Sequence, residues 1–214
     1  SYDGSGDVLN NTSFRIDSGK MTAIVGASGA GKSTLIDLLL RHYDPQVGDI
    51  LVDGVDLREL DLPSWRKNIG VVSQDVFLFH DTVAYNIGLN RPGIDQEQIE
   101  ESARQAYAHD FILELPNGYQ TQIGDRGWNL SGGQRQRIAI ARALSVDPEF
   151  LVADEPVSAL DVSVQAQIMN LLMDTQAERR LTYLFITHDL AVVEHFATQV
   201  AVMYRGTICE LADA

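Results

Sequence analysis

The chain has 214 residues, 45% of them apolar and 21% charged, with a formal net charge of −14. That length suffices for one domain with a full core, and no run reaches the roughly 18–20 apolar residues of a membrane-spanning helix. The acidic balance argues against a nucleic-acid-binding face, which would have to be basic, and the single cysteine, Cys209, excludes an internal disulfide.

The first residue is Ser1 and no secretory signal is visible, so the chain reads as a processed or excised piece, and its cysteine usage fits the cytosol. The first strand-like run is 21–25, MTAIV, and GASGAGKST follows at 26–34. This is G-x-x-x-x-G-K-[ST] between a strand and an apolar helix at 32–41, the context in which that spacing cradles phosphates. Gly26, Gly29 and Gly31 let the backbone turn tightly, so that the N–H groups of the loop, Ser28 and Ala30 included, point at phosphate oxygens. Lys32 would reach the β- and γ-phosphates, the Ser33 hydroxyl would ligate Mg²⁺, and Thr34 would lie near the α- and β-phosphates. The plain alternative is a glycine-rich turn capping a helix. G-x-G-x-x-G is not met, so a dinucleotide site is not expected.

A second run at 69–73 ends before Gln74. Residues 75–145 lack strand-like runs and read as a mostly helical insertion, with loops at 90–93 and 116–118. Within it, LSGGQR occupies 130–135. Ser131 and Gln134 have the spacing of a capping box, which places a helix over 134–144. Gly132 and Gly133 leave its N-terminus bare, a second anion-seeking helix end.

The run at 150–153 leads into Asp154 and Glu155, then Pro156 and a Ser-Ala-Leu-Asp turn at 158–161. An apolar strand ending in Asp is the element that holds the metal beside a phosphate loop. Glu155, one residue further on, can orient and deprotonate an attacking water. Two adjacent acids repel unless a cation joins them, so the pair points to Mg²⁺; two solvated acids in a turn is the bland alternative. A helix over 164–178 and runs at 183–187 and 200–204 complete the pattern, with His188 after the former. None of these runs alternates, so both faces of the strands should be covered, as in a parallel α/β sheet.

GASGAGKST, LSGGQR and DEPVSALD together resemble the nucleotide-binding domain of ABC transporters, over essentially the whole chain. The resemblance implies an α/β, P-loop NTPase core of RecA type with a mainly parallel sheet, a small N-terminal antiparallel β part and a helical subdomain. Residues 1–74 and 146–214 would form the core and 75–145 the subdomain of a single ATPase domain, 1–214. It implies ATP and Mg²⁺ as cofactors, a head-to-tail homodimer, transmembrane partner domains, and a place at the cytoplasmic face of a membrane. Ser131, Gly132, Gly133 and Gln134 of one copy would face the γ-phosphate held by Lys32 of the other. By the same resemblance Tyr2 stacks on adenine, Gln74 reaches Mg²⁺ and the attacking water, Asp161 closes the dimer-interface loop, and His188 contacts the γ-phosphate. The expected catalytic set is Glu155, His188, Gln74 and Lys32, with Ser33, Gln74 and Asp154 on the metal. His42, His80, His109 and His195 are read as surface or packing residues.

Up to about 145 the chain resembles the exporter branch, through GVVSQ at 70–74, FLF at 77–79, DTV at 81–83, LPNGY at 115–119 and TQIGDRG at 121–127. From about 146 it resembles oligopeptide-importer ATPases, with Pro156-Val157 where exporters have Ala-Thr. This suggests a fusion near 143–148, and with it an alternative: an engineered nucleotide-binding scaffold with weak or no ATPase activity and no transport role.

Overall fold

The computed structural model of the chain describes residues 8–124, 127, 129–194 and 196–213. In chain order it contains β1 (Met21–Val25), α1 (Lys32–Leu39), β2 (Leu51–Val52), β3 (Val55–Asp56), α2 (Leu62–Lys67) and β4 (Ile69–Val72). Then come α3 (Val83–Gly88), α4 (Gln96–Gln105), α5 (His109–Glu114), α6 (Gly132–Leu144) and β5 (Phe150–Asp154). Last are α7 (Val162–Arg179), β6 (Thr182–Thr187), α8 (Leu190–Val193), β7 (Gln199–Tyr204) and β8 (Thr207–Asp213).

Six strands form one sheet in the order β4-β5-β6-β1-β7-β8, parallel except for β8. The missing hydrophobic alternation is explained by two cores, one on each face. Along β6, Tyr183 and Phe185 join the larger core with Ile138 and Ile140 of α6 and Leu171 of α7. Leu184 and Ile186 join the other, against Leu35, Ile36 and Leu39 of α1. Every second residue of the strand is thus apolar for a different core.

Parallel pairing carries the strand ends to one edge. Val25 pairs with Thr187, Asp154 with Ile186 and Val72 with Ala153. The residues that follow these strands, Gly26, Gln74, Glu155 and His188, therefore leave the sheet on the same side, where ligands of open α/β sheets bind.

Between β4 and β5 the regular elements among the described residues are helices joined by loops, apart from an isolated bridge between Thr82 and Gln122. The β2–β3 pair supplies a small antiparallel piece. Three details differ from the sequence reading. Asp154 is the last residue of β5 rather than the first after it, and the signature helix starts at Gly132, two residues early, because Ser131 caps it directly. The antiparallel β8 was not foreseen, since most of its residues are exposed and carry no buried face. It is created by the two-residue turn at Arg205 and Gly206, whose φ values of +47° and +77° suit a tight hairpin.

Candidate functional site

The phosphate loop leaves β1 and wraps onto the hairpin turn beside it. Gly26 is there because a Cβ would come within 2.4 Å of the Met203 carbonyl oxygen. Gly31 has φ +108° and presses on Leu9, where a Cβ would sit 2.8 Å from Cδ2. Gly206 N donates to Ala30 O at 2.8 Å and locks the loop from behind. By contrast Ala27, Ser28 and Gly29 face outward, and the space beside Gly29 is open. No side chain caps α1 at its N-cap, Gly31, so its first turn keeps the positive dipole end for an anion. Lys32 is buried, and its Nζ donates to Gly26 O at 2.6 Å and Ala27 O at 3.1 Å. Ser33 is exposed and Thr34 half-buried on the same turn.

Glu155 is the point at which the other candidates meet. Its side chain is only 14% exposed. Gln74 Nε2 donates to Oε2 at 3.3 Å, His188 Nδ1 lies 3.0 Å from the same oxygen, and Lys32 Nζ stands 4.0 Å from Oε1. Glu155 has φ +45°, an uncommon conformation for a residue with a side chain. It is held there by its own N–H on Ile186 O at 2.8 Å, and by Ser158, whose N–H and hydroxyl both donate to Glu155 O at 3.2 and 3.1 Å.

Asp154 beside it has a carboxyl pushed above its ordinary range, first by burial, then by the charge of Glu155 and, more weakly, of Asp37, with Lys32 opposing. A carboxylate in that predicament suits a divalent cation, which would supply the missing positive charge. The available donors fit one. The Asp154 carboxylate, the Ser33 hydroxyl and the Gln74 amide oxygen are all hard oxygens of the kind Mg²⁺ takes.

The signature segment keeps its own geometry. Ser131 and Gln134 form the full capping box, with Gln134 N on Ser131 Oγ at 3.2 Å and Ser131 N on Gln134 Oε1 at 2.9 Å. Its two glycines are packing residues as well. A Cβ on Gly133 would lie 2.8 Å from Val164 Cγ1, and one on Gly132 3.2 Å from Leu160 Cδ2. The start of α6 is thus seated on the start of α7 and the loop before it. Asp161 caps α7 by accepting from Val164 N at 3.0 Å. Gln165, which sequence reasoning passed over, donates from Nε2 to Val157 O and Leu160 O, both at 3.0 Å, and so closes the loop that follows Glu155. Tyr2 and His195, with Asp125 and Arg126 of the exporter-like stretch, lie outside the described residues. His42 and His109 have local partners, Asp37 and the Tyr119 hydroxyl, and are not part of the site.

A glycine loop before an uncapped helix start, a half-buried carboxylate suited to a metal and a glutamate gathered by three polar side chains make up a candidate P-loop nucleotide site. Residues 9–158 match the sequence model of the ABC transporter family. An ATP-dependent lipid A-core flippase of Saccharophagus degradans is 47% identical over 99% of this chain and 36% of its own length. The mitochondrial iron–sulfur clusters transporter ATM1 of Chaetomium globosum is 43% identical over 96% of this chain and 34% of its own. Among solved structures, a bacterial Atm1-family ABC exporter with ATP bound superposes with a TM-score of 0.90 at 39% identity, over 100% of this chain and 37% of that one.

The chain belongs to the ABC transporter family, as its ATP-binding, ATPase domain. It spans about a third of the length of the curated relatives it matches. Both alignments run through 143–148, and neither supports a fusion there.

Proposed function

We propose that this chain is the motor domain of a membrane exporter, which binds Mg²⁺–ATP, closes head to tail on a second copy and hydrolyses the nucleotide. The observation that carries this reading is the convergence of Lys32, Gln74 and His188 on the Glu155 carboxylate. Lys32 moves from the loop carbonyls to the β- and γ-phosphates, which the glycine backbone and the N-terminus of α1 also grip. Ser33, Asp154 and Gln74 would hold the metal, and Mg²⁺, when bound, would supply charge neutralisation at the phosphates. Glu155 takes the proton of the attacking water, His188 contacts the γ-phosphate, and Gln74 orients the water between them.

The start of α6, with Ser131, Gly132, Gly133 and Gln134, faces the γ-phosphate held by a second copy, where the capping box leaves the Gly132 and Gly133 N–H groups and the Ser131 hydroxyl proton as donors, and Asp161 borders the same interface. Residues 75–145 act as a helical subdomain against a core of 1–74 and 146–214. Tyr2 is the candidate for stacking on adenine. Among the described residues no helix is long and apolar enough to cross a membrane. We place the partner transmembrane domains in the remaining length of the relatives, and this domain at the cytoplasmic face.

Size-exclusion chromatography with and without Mg²⁺–ATP, run beside a phosphate-release assay, tests the reading. Phosphate release together with a nucleotide-dependent shift toward a dimer is expected. A chain that stays monomeric and releases no phosphate contradicts it.

A further inference from the structure

The C-terminal end of α1, the helix that carries Lys32, Ser33 and Thr34, is fastened by an element with no assigned part in the reaction. Three consecutive carbonyl groups emerge there without helical partners, as at any helix end. Each is taken by a side chain of α2. Trp65 Nε1 donates to Leu39 O at 2.8 Å, Arg66 Nε to Leu40 O at 3.0 Å, and Arg66 Nη2 to Arg41 O at 3.0 Å. The guanidinium also sets a positive charge at the negative end of the helix dipole.

The same α2 leads straight into the strand that delivers Gln74. It is capped by Asp61, which accepts from Ser64 N at 3.0 Å and Ser64 Oγ at 2.7 Å. It ends at Asn68, whose carbonyl accepts from Glu149 N at 3.0 Å and Phe150 N at 3.1 Å, at the start of β5. Ile69 then opens β4, paired in register with β5, and Gln74 follows two residues after Val72. One six-residue helix is thereby bonded to the phosphate-loop helix, to the strand of Asp154 and to the strand of Gln74.

We infer that Trp65 and Arg66 are positioning residues of the ATPase, a pair that holds the Ser33 end of the metal site in register with its Gln74 and Asp154 end. The inference rests on the ATPase reading above. The phosphates are gripped by backbone groups local to the loop, whereas metal and water need donors from three separate elements. Loosening the brace therefore acts on the metal requirement and on turnover, and little on nucleotide affinity.

The test compares the chain with Arg66→Ala, Arg66→Lys and Trp65→Phe, the last removing the indole N–H together with part of the ring that packs on the core. Phosphate release is measured over a Mg²⁺ titration, with ATP affinity from a fluorescent analogue and folding checked by circular dichroism. In Arg66→Ala, kcat is expected to fall about ten-fold, the weight of one or two lost hydrogen bonds. The half-saturating Mg²⁺ concentration should rise several-fold, while ATP affinity stays within about two-fold. Arg66→Lys recovers part of the loss, and Trp65→Phe shows a smaller shift of the same kind. A brace that merely stabilises the fold would lower the melting temperature and leave the Mg²⁺ titration where it was. Unchanged kcat and Mg²⁺ dependence in both Arg66→Ala and Trp65→Phe overturn the inference while the ATPase reading stands. No phosphate release from the unaltered chain would instead strike that reading.

Discussion

Asp154 and Glu155 are neighbours in the chain, but the fold treats them differently. Asp154 ends a strand and is held partly out of water, whereas Glu155 turns out of the sheet in a left-handed conformation. The Asp154 carboxyl binds its proton more readily in the folded chain than in the unfolded one, because burial and the adjacent charge disfavour its ionised form. The folded state thus holds more protons between the two values, and this group makes stability fall as pH rises through them. Asp154→Asn should therefore raise the melting temperature of the nucleotide-free chain at neutral pH. The gain should shrink as the pH falls through the raised native value and vanish below the ordinary value of 3.8. Thermal melts at a series of pH values check this; an Asn variant less stable at neutral pH would count against the assigned burial penalty. The same variant should lose the stabilisation that Mg²⁺–ATP gives the parent chain.

At the scale of elements, the signature helix shows how one motif serves two purposes. Its capping box satisfies two backbone donors, so Ser131→Ala should cost about 1 kcal/mol in a denaturant titration. Gly133 is needed for contact: a Cβ there would meet Val164 Cγ1 at 2.8 Å, and a β-branched side chain has little freedom to give way. Gly133→Ala should destabilise the chain by roughly 1–3 kcal/mol, although alanine is the better helix former by about 1 kcal/mol. Val164→Ala in the same chain should recover much of the loss, a coupling that a double-mutant cycle measures. A Gly133→Ala variant as stable as the parent would show that α6 can lift off α7 freely.

Elements also mark where sequence reasoning ran short. Strands and helices with an apolar face were legible from their patterns, and so was the capping box, because its two partners stand three residues apart. The bonds from Trp65, Arg66 and Gln165 to backbone carbonyls were not. A side chain that caps a distant or irregular segment leaves no periodicity, and only the fold brings Arg66 to the end of α1, some 25 residues away.

On the scale of the whole molecule, the site is assembled by the parallel sheet. Gln74 and Glu155 are separated by 81 residues, and Glu155 and His188 by 33, yet all three meet because β4, β5 and β6 are adjacent and run the same way. Each of these three strands could be read in the sequence together with the polar residue that follows it. The strand order could not, and it is what turns four separate residues into one cluster around a carboxylate. That cluster carries the central proposal, that Glu155 is the proton acceptor and its neighbours hold it in place.

The most direct test is phosphate release by the Glu155→Gln chain under saturating Mg²⁺–ATP, with bound nucleotide measured in the same sample. The amide keeps the shape of the glutamate, and its oxygen can still accept from Gln74, but it carries no charge toward Lys32 and cannot take a proton from water. Turnover should fall by about 10²–10⁴-fold, while ATP binding persists and the nucleotide-bound dimer accumulates. Turnover equal to that of the unaltered chain would contradict the account.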